Sequence, residues 1–464
     1  MLDVAKAESA EAHSHVATVL IATDNINLAQ RLDPILRKLG YNVSLIIYDG
    51  YNLSQMPHEA PAAVLTLFSD YIEKVPNIVA DIKQHFEIYS FPIIGAFSRP
   101  SKNNIEKDIF DTIIYAPAHP SQIANRINAI IRLHVMQIEL AARIETLSED
   151  FGVTHILSES LFKRNFKILF IGKSSPEFMV IVNVLQRKNA DVIGAFTSFT
   201  AFDYLHETKF DAVVINALND TEPATSISEA MSRNSRLFHV PIFFLVKDQS
   251  NAKSLILHKH GVKDIIDVNA QSEEISGRIL ELANFHRLHD DLQSEFDNIR
   301  KPELIDNLTG LFKPEVFIAH LNRLCKACVK TKTPLSIIVF KTLPSSFGNI
   351  NEHTLKNANH QVGKILKETL RVQDMAVRIS NDLFAVIFVK QTSREIKSVS
   401  QRLTNVIENT AFTTTIENEA ALTMDIHLHV ADHMPHETGT IMLDQALHAL
   451  TGYGLTHHMT PKEP

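Results

Sequence analysis

Arg371 and Asp374 stand three residues apart, a spacing with chemical potential. A guanidinium is a planar fork that grips a phosphate, or the O6 and N7 edge of guanine, through two hydrogen bonds. A carboxylate beside it accepts from the N1 and N2 hydrogens of the same base. After five intervening residues the chain reaches Ser380, Asn381, Asp382, Leu383 and Phe384, which read as a turn entering a strand. The plain alternative for Arg371 and Asp374 is a surface ion pair at i,i+3, worth a few tenths of a kcal/mol.

Two other groups invite a chemical reading. Cys325 and Cys328 form a C-x-x-C, but RLCKACVK has a helical pattern throughout. A redox C-x-x-C opens a helix next to a strand, so reduced thiols without a redox role are expected here. Asp425, His427 and His429 alternate along TMDIHLHVADH, with His433 and His436 beyond. Two histidines at i,i+2 on a strand can converge on a metal, yet no fixed third ligand is evident. A solvated or pH-sensitive face is expected, and no metal site is assigned.

These residues need elements to position them. VATVLIA, YNVSLIIY, AAVLTLF, FPIIGAF and DTIIYAP are apolar runs separated by helical patterns, closing with a long helix from PSQIANRINAIIRLHVMQIELAARIETL. That order implies a parallel sheet covered on both faces. The plan repeats in KILFIG, DVIGAFTS, FDAVVIN, VPIFFLV and KDIIDV. HDDLQSEFDNIR reads as a charged connecting helix and SEDFG, near Glu149, as a solvated interdomain face. The 464 residues fit about three domains. The domains expected are 15–150, 151–287 and 301–456, with a connecting helix at 288–300 and disordered tails at 1–14 and 457–464.

A net charge of −8 argues against a broad nucleic-acid surface. No segment is long and apolar enough to span a bilayer, and the polar, acidic N-terminus lacks a signal peptide's basic start and apolar core. A cytoplasmic protein is expected.

DNLTGL at Asp306–Leu311, the R-x-x-D and the following hairpin together resemble a GGDEF domain, the family that makes or senses cyclic di-GMP. The two preceding units resemble response-regulator receivers, and the whole order resembles the PleD and PopA type of regulator from alphaproteobacteria. The resemblance implies an α/β fold class, with two flavodoxin-like receiver domains followed by an α+β GGDEF domain. It assigns cyclic di-GMP contacts to Arg371 and Asp374, and to Arg402 on the helix after the hairpin. It pairs Arg378 with Asp306 structurally.

The same resemblance marks what is lost. Lys341 stands where the first metal carboxylate belongs, and Leu343 at the second acidic position of that strand. Ser380 and Asn381 replace the glycines that admit a triphosphate, Leu383 replaces the second metal carboxylate, and only Asp382 survives. Asn349 is the nearest counterpart of a guanine-binding Asn, Lys356 stands about where an Asp follows it, and the last helix lacks the phosphate-binding Lys. No catalytic residue is therefore assigned.

The receivers are degenerate too. In the first, Thr23 and Asp24 occupy the acidic pair, one of Thr66, Leu67 and Phe68 ends the third strand, Asp70 lies beyond it, and Ala116 replaces the Lys. In the second, Gly172 and Lys173 replace the acidic pair, Asn216 stands at the phosphoacceptor position, and Val246 and Val268 replace the Thr or Ser and the Lys. Phosphoryl transfer to a carboxylate needs a metal and an Asp, so no phosphoacceptor is assigned.

The expectation is a catalytically inactive, dimeric regulator. It would use cyclic di-GMP as regulatory ligand, with no cofactor beyond Mg²⁺ were cyclase activity retained, and with an unidentified protein partner. The resemblance further implies a polar adaptor in the cell cycle. An active cyclase with an unusual site and a scaffold that binds no nucleotide are the rival readings.

Overall fold

The computed structural model describes residues 17–24, 26–48, 56–58, 60–68, 75–87, 89–97, 109–115, 120–154, 164–218, 222–234, 236–247, 261–331, 333–345, 352–391, 393–412 and 421–453. Asp70, Ala116, Asn349 and the two expected tails lie outside them. The chain divides into two compact units, residues 1–155 with 295–464, and residues 156–294.

The first unit opens with a five-stranded sheet: β1 (Thr18–Thr23), β2 (Asn42–Ile47), β3 (Ala63–Phe68), β4 (Ile93–Phe97) and β5 (Thr112–Tyr115). All pairings are parallel and the order is β2-β1-β3-β4-β5, the doubly wound order of flavodoxin-like folds. β3 and β4 are buried along their whole length, as strands covered on both faces must be. Helix α1 (Ile26–Lys38) buries Ala29, Leu32 and Leu36 on one stripe. Helix α2 (Val75–His85) follows β3.

Helix α3 (Pro120–Phe151) is 32 residues long and does two jobs. Its first half buries Ile123, Ile127 and Ile131, an i, i+4, i+8 stripe, with Ala124 beside it. Its second half buries Glu139, Arg143 and Thr146 alongside Met136, Leu140 and Leu147. Charged groups are rarely buried unpaired, so that half must meet polar partners.

Those partners come from the rest of the unit. An antiparallel sheet of order β12-β13-β11-β14 is built from β11 (Leu335–Pro344), β12 (Met375–Arg378), β13 (Leu383–Val389) and β14 (Met424–Asp432). Four helices flank it in sequence: α8 (Pro314–Thr331), α9 (Glu352–Thr369), α10 (Ser393–Glu408) and α11 (Gly439–Thr451). α3 packs against α8. The DNLTGL segment turns at Gly310, whose φ of +69° suits glycine, and Thr309 presses on Gly363 of α9 so closely that a Cβ there would lie 2.5 Å away.

The second unit repeats the parallel plan: β6 (Phe166–Ile171), β7 (Ala190–Ala195), β8 (Ala212–Asn216), β9 (Ile242–Val246) and β10 (Asp264–Asp267), in the order β10-β9-β8-β6-β7. Helices α4 (Pro176–Arg187), α5 (Ser198–Glu207) and α6 (Glu222–Arg233) connect strands, and α7 (Ser272–Asn298) follows β10. The charged segment read as a separate connector at 288–300 is largely the second half of α7.

Candidate functional site

The hairpin between β12 and β13 holds Ser380, Asn381 and Asp382. Its turn closes with Ile379 N–H donating to Leu383 O at 2.8 Å. Neither Ser380 nor Asn381 has a positive φ, so the turn forms without the left-handed backbone that glycine favours. Arg378 braces the turn instead. It donates to Ser380 O at 3.1 Å and to Asn381 Oδ1 at 2.9 Å, and pairs with Asp306 at 3.4 Å. Burial raises the Asp306 pKa, but Thr309, the Leu308 N–H and Arg378 pull it below the ordinary value.

Register sets Lys341 of β11 opposite Leu383 of β13. The Lys341 ammonium lies 3.4 Å from Asp382 Oδ2, while Leu383 is buried. The Asp382 carboxylate therefore neutralises a lysine. A metal pair needs several oxygen ligands around each cation, and these residues do not fit one.

The Arg371–Asp374 turn is arranged differently from the expectation. The Asp374 carboxylate points inward, accepting from the Arg371 N–H at 3.2 Å and from Gln391 Nε2 at 2.8 Å. It is 7% exposed, and burial pushes its pKa up to about 7 against the pull of Arg371. The Arg371 guanidinium pairs with Glu395 of α10 at 3.3 Å, not with Asp374. Arg402 is exposed and donates to Thr369 O at 3.2 Å, two residues before Arg371.

Arg371 lines a cavity of about 300 Å³ shared with Arg132 and His134 of α3, Lys390 and Glu395. Two guanidiniums, Arg371 and Arg132, face one carboxylate there, beside Lys390, whose pKa burial lowers. Cys328 also lines the cavity, and burial raises the Cys325 thiol to about 12 and the Cys328 thiol as well, so neither thiol is activated.

The turn's backbone is held from α3. Arg143 donates to Val372 O at 3.3 Å and to Gln373 O at 2.8 Å, and pairs with Glu139 at 2.6 Å. His320 of α8 completes the network, with Nε2 2.8 Å from Glu139 and Nδ1 2.9 Å from Thr146. The Thr146 hydroxyl also donates to Ala142 O at 2.9 Å. Burial raises the Glu139 pKa, but His320 and Arg143 outweigh it and hold it below the usual range. SEDFG is not merely solvated: Arg323 of α8 pairs with Glu149 at 2.7 Å and Asp150 at 3.5 Å.

In the second unit Asn216 ends β8, its amide donating to Lys173 O at 2.8 Å. Gly172 has φ +121° and lies under Asn216, whose Cβ would be 2.8 Å from an added one. Val246 ends β9, and Val268 follows β10. In the first unit Thr23 ends β1 and donates to Leu67 O at 2.7 Å, with Asp24 next. Asp425 accepts from Ser345 at 2.6 Å and His433 contacts Glu437 O at 3.1 Å. Among the described residues, the histidines of β14 do not converge as a metal-ligand group.

The buried aspartate predicts a pH effect. A folded pKa near 7 lies above the unfolded value of about 3.9, so protonation is favoured by folding. The contribution is full below about pH 4, falls as pH rises, and is lost above about 7, roughly 2–4 kcal/mol in all. Melting temperatures at pH 5 and 7.5 should differ more in the wild type than in Asp374→Asn; equal differences would contradict the burial argument.

Residues 303–457 match the family model described as "Diguanylate cyclase, GGDEF domain". Response regulator PleD of Caulobacter vibrioides is 22% identical over 209 residues, covering 44% of this chain and 45% of that protein. The match thus takes in less than half the length of that relative. Among solved structures, the GGDEF domain of DgcB from Caulobacter crescentus in complex with c-di-GMP is 17% identical, with TM-score 0.29, over 33% of this chain and 89% of that one. The FimX GGDEF domain from Pseudomonas aeruginosa is 16% identical, with TM-score 0.29, over 33% and 94%. The chain carries a GGDEF domain, and no described helix is long and apolar enough to cross a membrane.

Proposed function

We propose that this chain senses cyclic di-GMP through its GGDEF domain and does not synthesise it. The observation that carries the reading is the Lys341–Asp382 ion pair beside a buried Leu383, which replaces a metal site with a neutralised one. The ligand side keeps its cations. Arg371, Arg132 and Lys390 share one cavity, suited to phosphate oxygens or a guanine edge. At about 300 Å³ it is at the low end of small-molecule sites, so Glu395 must release Arg371 for the dinucleotide to engage fully.

The two parallel-sheet units are receiver domains by this reading, stripped of phosphotransfer chemistry and retained as docking and dimerisation surfaces. The ligand shifts docking only by its differential affinity for the two arrangements. Because Arg143 of α3 holds the carbonyls of Val372 and Gln373, a ligand that moves the turn also loads that helix.

Calorimetry of the full chain with cyclic di-GMP tests the sensor. Binding near the micromolar range is expected, about −8 kcal/mol; no heat in the wild type would leave a scaffold that binds no nucleotide. Incubation with GTP and Mg²⁺ should yield no dinucleotide, and measurable product would overturn the inactive assignment.

A further inference from the structure

In the second unit, His239 in the turn before β9 meets His286 and Asp290 of α7, and one ligand atom from each lies within 4.8 Å of the others. His239 is distant in sequence from the other two, and the fold gathers all three. His286 and Asp290 are one helical turn apart, and His289 joins the same face at i+3. His286 Nδ1 is 3.7 Å from Asp290 Oδ1, and His289 Nδ1 is 3.6 Å from the same oxygen. The His239 and His286 rings lie 5.1 Å apart, centre to centre.

His239 and His286 offer imidazole nitrogens and Asp290 a carboxylate oxygen, the donor types a borderline metal takes. Arg287, the one cation within this run of α7, is committed elsewhere. It pairs with Asp211 at 2.8 Å and lies 3.7 Å over the Phe166 ring.

We propose that His239, His286 and Asp290 form a binding site for a borderline divalent transition metal such as Zn²⁺, with His289 or water as fourth ligand. Two imidazoles and one carboxylate suit Zn²⁺ or Co²⁺; Ca²⁺ and Mg²⁺ favour all-oxygen shells, and Cu(I) favours sulfur. Bonds of about 2.0–2.2 Å in a tetrahedron put donors roughly 3.4 Å apart, so the 3.7 Å His286–Asp290 edge is nearly set. The remaining closure falls to His239, on a turn rather than in a helix. A bound metal would pin that turn to α7.

The test uses the full chain, stripped with a chelator and desalted, then titrated with Co²⁺ and Zn²⁺ alone. The wild type should take up one equivalent with a dissociation constant below about 10 μM. It should also develop the visible absorption of four-coordinate Co²⁺ and melt a few degrees higher with Zn²⁺. His239→Gln and Asp290→Asn, which spare the buried His286, should lose at least tenfold in affinity and the cobalt spectrum, while keeping the wild-type melting curve in chelator. His429→Gln on β14 should bind as the wild type does. No uptake by the wild type, or uptake unchanged in both His239→Gln and Asp290→Asn, would overturn the proposal.

Discussion

Replacing Glu139 with Ala should destabilise the unit formed by residues 1–155 and 295–464 by about 3–5 kcal/mol, the cost of leaving a buried charge without its partner. Glu139 and Arg143 are each 1% exposed and His320 is fully enclosed. Removing the carboxylate leaves a guanidinium and an imidazole facing each other in a site that water does not reach. Arg143 keeps the carbonyls of Val372 and Gln373 but loses its countercharge. Urea denaturation followed by circular dichroism, with hydrogen exchange to identify which unit opens first, checks this. A change below about 0.5 kcal/mol would mean that the network does not form. The combined Glu139→Leu, Arg143→Met and His320→Phe variant should cost much less, since desolvation of the charges disappears with them. The Glu139 contribution also has a pH window. Its folded pKa is depressed, so the stabilisation is present above about pH 4.5 and is lost as pH falls through the folded value.

Arg371→Ala should reduce cyclic di-GMP affinity by about 100-fold or more, because two charge-assisted hydrogen bonds to a charged group vanish together. The same substitution should barely alter stability: Arg371 is 30% exposed at its side chain and its partner Glu395 is 23% exposed, so their ion pair is worth roughly 0–1 kcal/mol. That separation distinguishes a ligand contact from a structural one. Arg402→Ala should cost less, since its guanidinium is exposed and holds only the Thr369 carbonyl. Calorimetry on both variants decides it; equal binding by the wild type and Arg371→Ala would remove Arg371 from the site.

The parallel sheets were legible in the sequence because strands buried on both faces write continuous apolar runs, as in AVLTLF of β3 and IFFLV of β9. The Arg378–Asp306 pair was legible through motif spacing. The second half of α3 was legible as a helix, but not its partner. Nothing local marks Glu139, Arg143 and Thr146 as buried, or announces that His320, more than 170 residues later, covers them. The inward turn of Asp374 was hidden for the same reason, since Gln391 claims its carboxylate across the sheet. His239, His286 and Asp290 lack any motif spacing, and only the packing of the turn before β9 against α7 unites them.

Helix α3 is a wall common to two neighbours, and that governs how the protein can be dissected. Excising the C-terminal segment for expression by itself would bare His320 and strip the carbonyls of Val372 and Gln373 of the side chain that steadies them. Affinities measured on such a fragment would describe a slacker loop than the intact chain contains. Chimeras are better cut after Phe151, so that the helix travels whole with the segment it supports.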